Sequence, residues 1–317
     1  ELPTGSRVAV RSIPALGSRR DTPVIFLHGG PGGYSATLAP TVAAVSRLSE
    51  DGFDVYIYDQ VGGGLSSRLD NIAQYTLDRH LADLERVRAR IGARKVILIG
   101  SSWGASLAAN YMARYPSNVA AAVVSGAAPI HYRAWTDTGH GTLDDRMTPD
   151  ARAGLASMIH TPRLFAALVL ADLNPRAASR FAGDSELGAL FDAVANRYYI
   201  PLAGCSMQGI DVQSSGYGFW SNRMTARSLA EARDDPRPAL HKNKTPILVI
   251  RGACDYKKQA VAQEYVDVFP VAEYVLLEQA GHMVFWEQPD AYLNRVRAFL
   301  NHHLGPAAGS QTPPPSP

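Results

Sequence analysis

Ser102, Asp255 and His282 are the side chains whose types and order could together cleave an acyl bond. A serine hydroxyl is nearly inert at neutral pH until a base accepts its proton. An imidazole, with an unperturbed pKa of about 6.5, can take that proton and return it to a leaving group. A carboxylate beside the imidazole would fix its tautomer and stabilise the imidazolium. Ser102 stands in Gly100-Ser101-Ser102-Trp103-Gly104, Asp255 closes Arg251-Gly252-Ala253-Cys254-Asp255, and His282 follows Gly281. A fourth stretch, His28-Gly29-Gly30-Pro31-Gly32-Gly33, has a backbone that can approach a ligand closely. The N–H groups of Gly30 and Trp103 are the candidate oxyanion donors, each worth about 3 kcal/mol to a tetrahedral intermediate.

Placement is what raises these residues above composition. Lys95-Val96-Ile97-Leu98-Ile99 is a short β-branched run suited to a buried strand, and Ala105–Tyr115 reads as a helix ending before Pro116. The G-x-S-x-G pattern therefore sits at a strand-to-helix corner, where a nucleophile elbow belongs. Ser101 competes for the role, but only Ser102 has glycines two residues away on both sides. Val24–Leu27 runs into the glycine loop at His28, Asp54–Tyr58 into Asp59-Gln60, Pro246–Ile250 into Asp255, and Glu273–Leu277 into the loop carrying His282. Each candidate thus follows the C-terminal end of a predicted parallel strand, where open α/β sheets gather their sites.

The remaining elements fit this alternation. Arg7–Ile13 predicts an early strand, Pro40–Leu48 a helix, and Val123-Val124 a further strand. Thr76–Ile91 carries Leu77, Leu81, Leu84, Val87 and Ile91 on one helical stripe. Helices are expected over Lys258–Phe269 and from Pro289 to about His302. Between Pro129 and Lys244 the strand grammar lapses into helical pieces, Asp150–His160, Arg163–Leu173 and Leu187–Tyr199. The fold class is α/β, a mostly parallel doubly wound sheet with a helical insertion. Residues 1–128 and 245–304 form its core, 129–244 a helical cap, and 305–317 a Pro-rich disordered tail.

Composition narrows the class. The chain of 317 residues is 46% hydrophobic and 19% charged with a net charge of +2, which describes a globular protein and gives no reason to invoke nucleic acid. No run of 18 apolar residues predicts a transmembrane span. Gly62-Gly63-Gly64 lacks the lysine and spacing of a phosphate loop, and no His/Cys/carboxylate cluster has zinc-like spacing, so no cofactor or metal is expected. Cys205 and Cys254 are read as a pair without disulfide or metal pattern, Cys254 filling space beside Asp255. A cytoplasmic protein is favoured, while a start at Glu1 in place of Met leaves export or a removed anchor open. The expected partner is a small molecule or short peptide, with oligomeric state open.

Each candidate has a plainer reading. The serine pattern could be a Gly/Ser turn, Asp255 an N-cap, and His282 a loop histidine. His28 reads as a brace of its own loop. His80, His131, His140, His160, His241, His302 and His303 lack strand-end placement and read as surface or packing residues. The conjunction of five strand-end loops in the order Ser, Asp, His favours catalysis.

On these residues the chain resembles the α/β-hydrolase superfamily, and within it the proline iminopeptidase branch. The resemblance is carried by His28–Gly33, Tyr58-Asp59-Gln60, Gly100–Gly104, Gly252–Asp255 and Gly281-His282, over roughly Val8–Gly126 and Thr245–Leu300. It implies a triad of Ser102, Asp255 and His282, an oxyanion hole at Gly30 and Trp103, and a cap that selects substrate. Two departures bear on function. The family's Asp-Gln-Arg-Gly is Asp59-Gln60-Val61-Gly62 here. Its Glu-Asn-His-Tyr-Phe segment, whose glutamate binds the substrate's free amine, aligns with Ala195-Asn196-Arg197-Tyr198-Tyr199. A buried ammonium without a carboxylate would be costly. Asp192, Asp211 and Glu231 are possible replacements, while Tyr198, Tyr199, Tyr217, Phe219 and Trp220 suggest an apolar site, with Tyr198, Tyr199 and Trp220 as candidate substrate contacts. These aromatics could equally be cap core. The expected activity is hydrolysis of an ester, lactone or amide of a small, largely apolar substrate through an acyl-enzyme. The alternatives are a prolyl aminopeptidase, an acyl transferase or cyclase using the same serine, and a catalytically silent binding protein.

Overall fold

Alternating apolar strands with apolar helix stripes bury both faces of a central sheet. The computed structural model describes residues 1–207 and 209–305; the tail expected to be disordered lies, beyond Gly305, outside the described residues. The strands are β1 (Val10–Ile13), β2 (Val24–Leu27), β3 (Val55–Tyr58), β4 (Val96–Ser101), β5 (Val119–Ser125), β6 (Ile247–Gly252) and β7 (Ala272–Leu277). Their order across the sheet is β1-β3-β2-β4-β5-β6-β7. Only β1 pairs antiparallel.

Period-two alternation sorts the central strands between two cores. Ile25, Leu27, Leu98, Val124 and Val249 face one side, with Leu84, Trp103 and Tyr111. Phe26, Ile97, Ile99, Val123 and Leu248 face the other, with Phe285, Leu293 and Phe299. Each such side chain contributes roughly 2 kcal/mol by leaving water. The helices supplying those faces are α1 (Ala39–Val45), α2 (Leu77–Arg90), α3 (Trp103–Arg114), α11 (Gln259–Val268), α12 (Val284–Glu287) and α13 (Pro289–Leu304), the intervening numbers belonging to the helices between β5 and β6 given below. Thr76 caps α2 by accepting from Arg79 N at 3.2 Å.

Register aligns the strand ends that matter. Leu27 pairs with Gly100, Ser101 with Ser125, and Ser125 with Ile250. The loops following β2, β4 and β6 therefore leave the sheet at one level.

Between β5 and β6 the described residues are helical or irregular, without a strand. They comprise α4 (Pro149–Ile159), α5 (Pro162–Leu173), α6 (Pro175–Phe181), α7 (Asp184–Val194), α8 (Ile200–Ala203), α9 (Phe219–Glu231) and α10 (Arg237–Leu240). The helix predicted over Leu187–Tyr199 stops at Val194, and Ala195–Tyr199 winds as a wider π-helical turn. Pro201 offers no N–H to the Arg197 carbonyl, so an α-helical pattern cannot run through. The predicted first strand is likewise shorter, because Arg7 and Ala9 donate to Ser67 and Ser66 side chains instead of a neighbouring strand. Among the described residues no single helix is long and apolar enough to cross a membrane.

Candidate active site

The corner at Ser102 is built by backbone constraint. Ser102 has φ 54° and ψ −119°, a left-handed conformation that costs a non-glycine residue about 1–3 kcal/mol. Close approach makes the flanking glycines obligatory. A Cβ on Gly104 would stand 2.1 Å from the Leu27 carbonyl oxygen, and one on Gly100 2.5 Å from that of Gly104. Ser102 N–H donates to Ser125 O at 3.0 Å, which ties the corner to β5. Ser102 is half-buried, whereas the Ser101 side chain is wholly buried at the end of β4. Trp103 opens α3, so its N–H has no carbonyl one turn back within the helix.

The glycine loop lies directly on this corner. A Cβ on Gly29 would come within 2.9 Å of Ser102 Cβ and 3.6 Å of Oγ, and Gly30 follows with φ 52°. His28 braces the loop: its Nε2 accepts from Gln60 N at 2.9 Å while Nδ1 lies 3.0 Å from Gly29 O. Burial holds this imidazole below its usual pKa, in keeping with a neutral ring. Gln60 completes the brace, accepting from the Trp103 indole at 2.8 Å and donating to His28 O at 3.3 Å. Asp59, fully buried, accepts from Ser35 and Ala36 N–H at 2.8 and 2.9 Å. Val61, at the position of the family's arginine, packs with Ile72, Tyr75 and Trp220.

The acid and histidine loops meet each other. His282 Nδ1 is 2.8 Å from Asp255 Oδ1, both side chains being almost wholly buried. Asp255 also accepts from Lys257 N at 2.9 Å. Burial alone would push the Asp255 carboxyl up, but His282, the Lys257 N–H and Arg251 outweigh it and hold the group below its ordinary value. Gly126, directly after β5, backs the imidazole; a Cβ there would lie 2.4 Å from His282 O. Tyr256, the residue after the acid, places its hydroxyl 3.1 Å from His282 Nε2.

Cys205 and Cys254 form a disulfide, which corrects the reading of Cys254 as a space-filler. The pairing was not legible from spacing because 49 residues and the whole passage from insert to β6 separate the two. The bond fastens the insert to the acid loop. Beside it, His282 N donates to Ala203 O at 2.8 Å, and Glu287 accepts from the N–H groups of Cys205, Ser206 and Gly281. Arg146 adds bonds to Leu202 O and Cys254 O. The other end of the insert is stitched to the glycine loop, Gly218 N donating to Gly32 O and Gly64 N to Gly216 O, each at 2.8 Å.

The aromatics expected at the substrate divide. Trp220 is buried with its indole donating to Ala182 O at 2.8 Å, and Tyr198 is buried against Gly154 among Met147, Leu155 and Val194. Both pack the insert itself, and the one donor of Trp220 is used inside it. Tyr199 is half-buried, 5.9 Å from Phe191. Tyr217 stacks on Phe191 at 4.3 Å, and its hydroxyl accepts from Asn222 and lies 3.1 Å from where a Gly30 Cβ would be. Of the possible replacement carboxylates, Asp192 accepts from Ser214 Oγ and Tyr217 N, Glu231 pairs with Arg227, and Asp211 is exposed. Arg197 is exposed, over the Tyr198 ring.

A family model described as alpha/beta hydrolase fold matches residues 22–289, and the chain belongs to that family. Within it, a proline iminopeptidase of Saccharolobus solfataricus is 26% identical over 300 residues, covering 90% of this chain and 86% of the relative. One of Heyndrickxia coagulans is 26% identical over 310 residues, covering 94% and 96%. Among solved structures, an esterase from Exiguobacterium antarcticum superposes with a TM-score of 0.65 at 17% identity, covering 95% of this chain and 97% of that one. A proline iminopeptidase from Mycobacterium smegmatis superposes at 0.63 and 24% identity with the same coverage. At these identities the structural likeness speaks to the fold.

Proposed function

We propose that this chain is a serine hydrolase that cleaves an ester, lactone or amide of a small, largely apolar substrate through an acyl-enzyme on Ser102. The carrying observation is the buried 2.8 Å His282–Asp255 contact beside a strained serine corner. With Nδ1–H directed to Asp255, His282 offers its Nε2 lone pair as the base. Ser102 Oγ then attacks the acyl carbon, and the oxyanion develops against the Gly30 and Trp103 N–H groups. The imidazolium returns its proton to the leaving group, and water repeats the cycle on the acyl-enzyme. Residues 129–244 act as the cap, with residues 1–128 and 245–304 as the catalytic core.

The substrate reading rests on the insert. Ala195, buried in the π-helical turn, brings no carboxylate, and the nearby Asp192 is occupied by Ser214 and Tyr217. Phe191, Tyr199 and Tyr217 instead offer aromatic surface beside Gly30. The names of the curated relatives favour a second reading, a prolyl aminopeptidase. Paired substrates separate the two: proline anilide against N-acetylproline anilide, with an aryl ester of each acid. Cleavage of the N-acetylated substrates at rates equal to or above those of the free amines is expected. Activity confined to free amines would establish the second reading instead. The Cys205–Cys254 bond further supports an oxidising compartment over the cytoplasmic expectation.

A further inference from the structure

Tyr256 stands where a two-residue contact between serine and histidine would ordinarily be drawn. Among the described residues, the hydrogen bond made by His282 Nε2 is the one to Tyr256 Oη at 3.1 Å. The two rings lie 4.3 Å apart, tilted by 40°. Ser102 acts on the same phenol, drawing its pKa down against the larger effect of burial. Lys257 Nζ lies 5.1 Å and the Arg146 guanidinium 5.9 Å from the centroid of the phenol ring. A phenol has one O–H and two lone pairs, so it can donate to Nε2 while accepting from Ser102. The His282 tautomer set by Asp255 leaves Nε2 as an acceptor, which gives the chain of hydroxyls a direction. Burial pushes the Tyr256 phenol far up, so it stays neutral and serves as a conduit, never as the base itself.

We propose that Tyr256 is a catalytic residue that relays the Ser102 proton to His282. This rests on the hydrolase reading above. As Ser102 Oγ bonds to the acyl carbon and the carbonyl π pair moves to oxygen, the Oγ proton passes to Tyr256 Oη. The proton of Tyr256 passes in the same step to Nε2, leaving a neutral tyrosine and an imidazolium. On collapse, the Nε2 proton returns through Oη to the leaving oxygen or nitrogen as its bond to carbon breaks.

Two protons then move in the acylation step, and this is measurable. With wild type, kcat/KM for an aryl ester in mixtures of H2O and D2O should give a bowed proton inventory. Tyr256→Phe should lower kcat/KM about 100-fold through kcat, the low end of general acid–base contributions, and straighten the inventory. The rate at which a fluorophosphonate labels Ser102 should fall by the same factor. A straight inventory in wild type, or Tyr256→Phe labelled at the wild-type rate or faster, would overturn the relay. The wild-type inventory decides even where the variant fails to fold. Ser102→Ala in the same assay tests the underlying reading separately, since surviving hydrolysis there would remove the serine chemistry altogether.

Discussion

Along the sheet's C-terminal edge, positions are dictated by backbone; in the helical insert they are dictated by side-chain packing. At the edge, Gly104 meets Leu27 and Gly126 meets His282 with no room for a Cβ, so Ser102 and His282 have one place each. In the insert, Trp220, Tyr198 and Phe191 are interlocked by ring contacts and apolar clusters that other large residues could satisfy. On the proposed function, the chemistry therefore sits in the region least tolerant of change, and selectivity in the region most tolerant of it. Two covalent or hydrogen-bonded seams join them, the Cys205–Cys254 bond with its Glu287 contacts and the Gly216–Gly218 strip on the glycine loop.

Changes at the edge should strike turnover hardest. His282→Ala is expected to lower kcat/KM by about 10⁶-fold with KM nearly unchanged, as read by steady-state ester hydrolysis. A loss confined to KM would reverse the division of labour. Cutting the seam comes next. In a chain-entropy view, a bond closing 49 residues stabilises by about 4 kcal/mol, so Cys205→Ser with Cys254→Ser should lower the denaturation midpoint markedly. An unchanged midpoint would mean the cap holds to the edge without it.

Lys257 gives a smaller effect with a definite sign. Burial pushes its ammonium down to about 8, partly offset by Asp255 and Asp145, with its Nζ donating to Gly141 O and lying 2.8 Å from His140 Nδ1. The unfolded chain keeps this proton to about 10.4, so between pH 8 and 10 it binds more protons than the native state. Stability contributed by this site therefore rises with pH over that window. Relative to Lys257→Met, the wild type should gain about 2 kcal/mol between pH 7.5 and 10 in denaturant titrations. A pH-independent difference would contradict the burial cost. The smallest change belongs to the insert: Tyr217→Ala should raise KM for an aromatic ester several-fold, about 1 kcal/mol, with kcat little altered.

Legibility in the sequence followed the same boundary. Strand runs such as Val24–Leu27 and Val96–Ile99 are short and wholly apolar, and the Gly-rich turns behind them announce the site loops, because buried strands and tight corners admit few residue types. The brace at His28 was readable for the same reason. The Trp220 side chain was not, since an aromatic in a helix looks alike whether it lines a cavity or fills a core. The Cys205–Cys254 bond and the reach of Tyr256 to His282 depend on loops meeting in space, and no local spacing encodes that meeting.

Intact-mass analysis after fluorophosphonate treatment tests the central claim most directly. One adduct per chain, mapped to Ser102, absent from Ser102→Ala and slowed in His282→Ala, is the result expected. A chain that takes up no adduct, or a Ser102→Ala protein labelled and active as before, would contradict it.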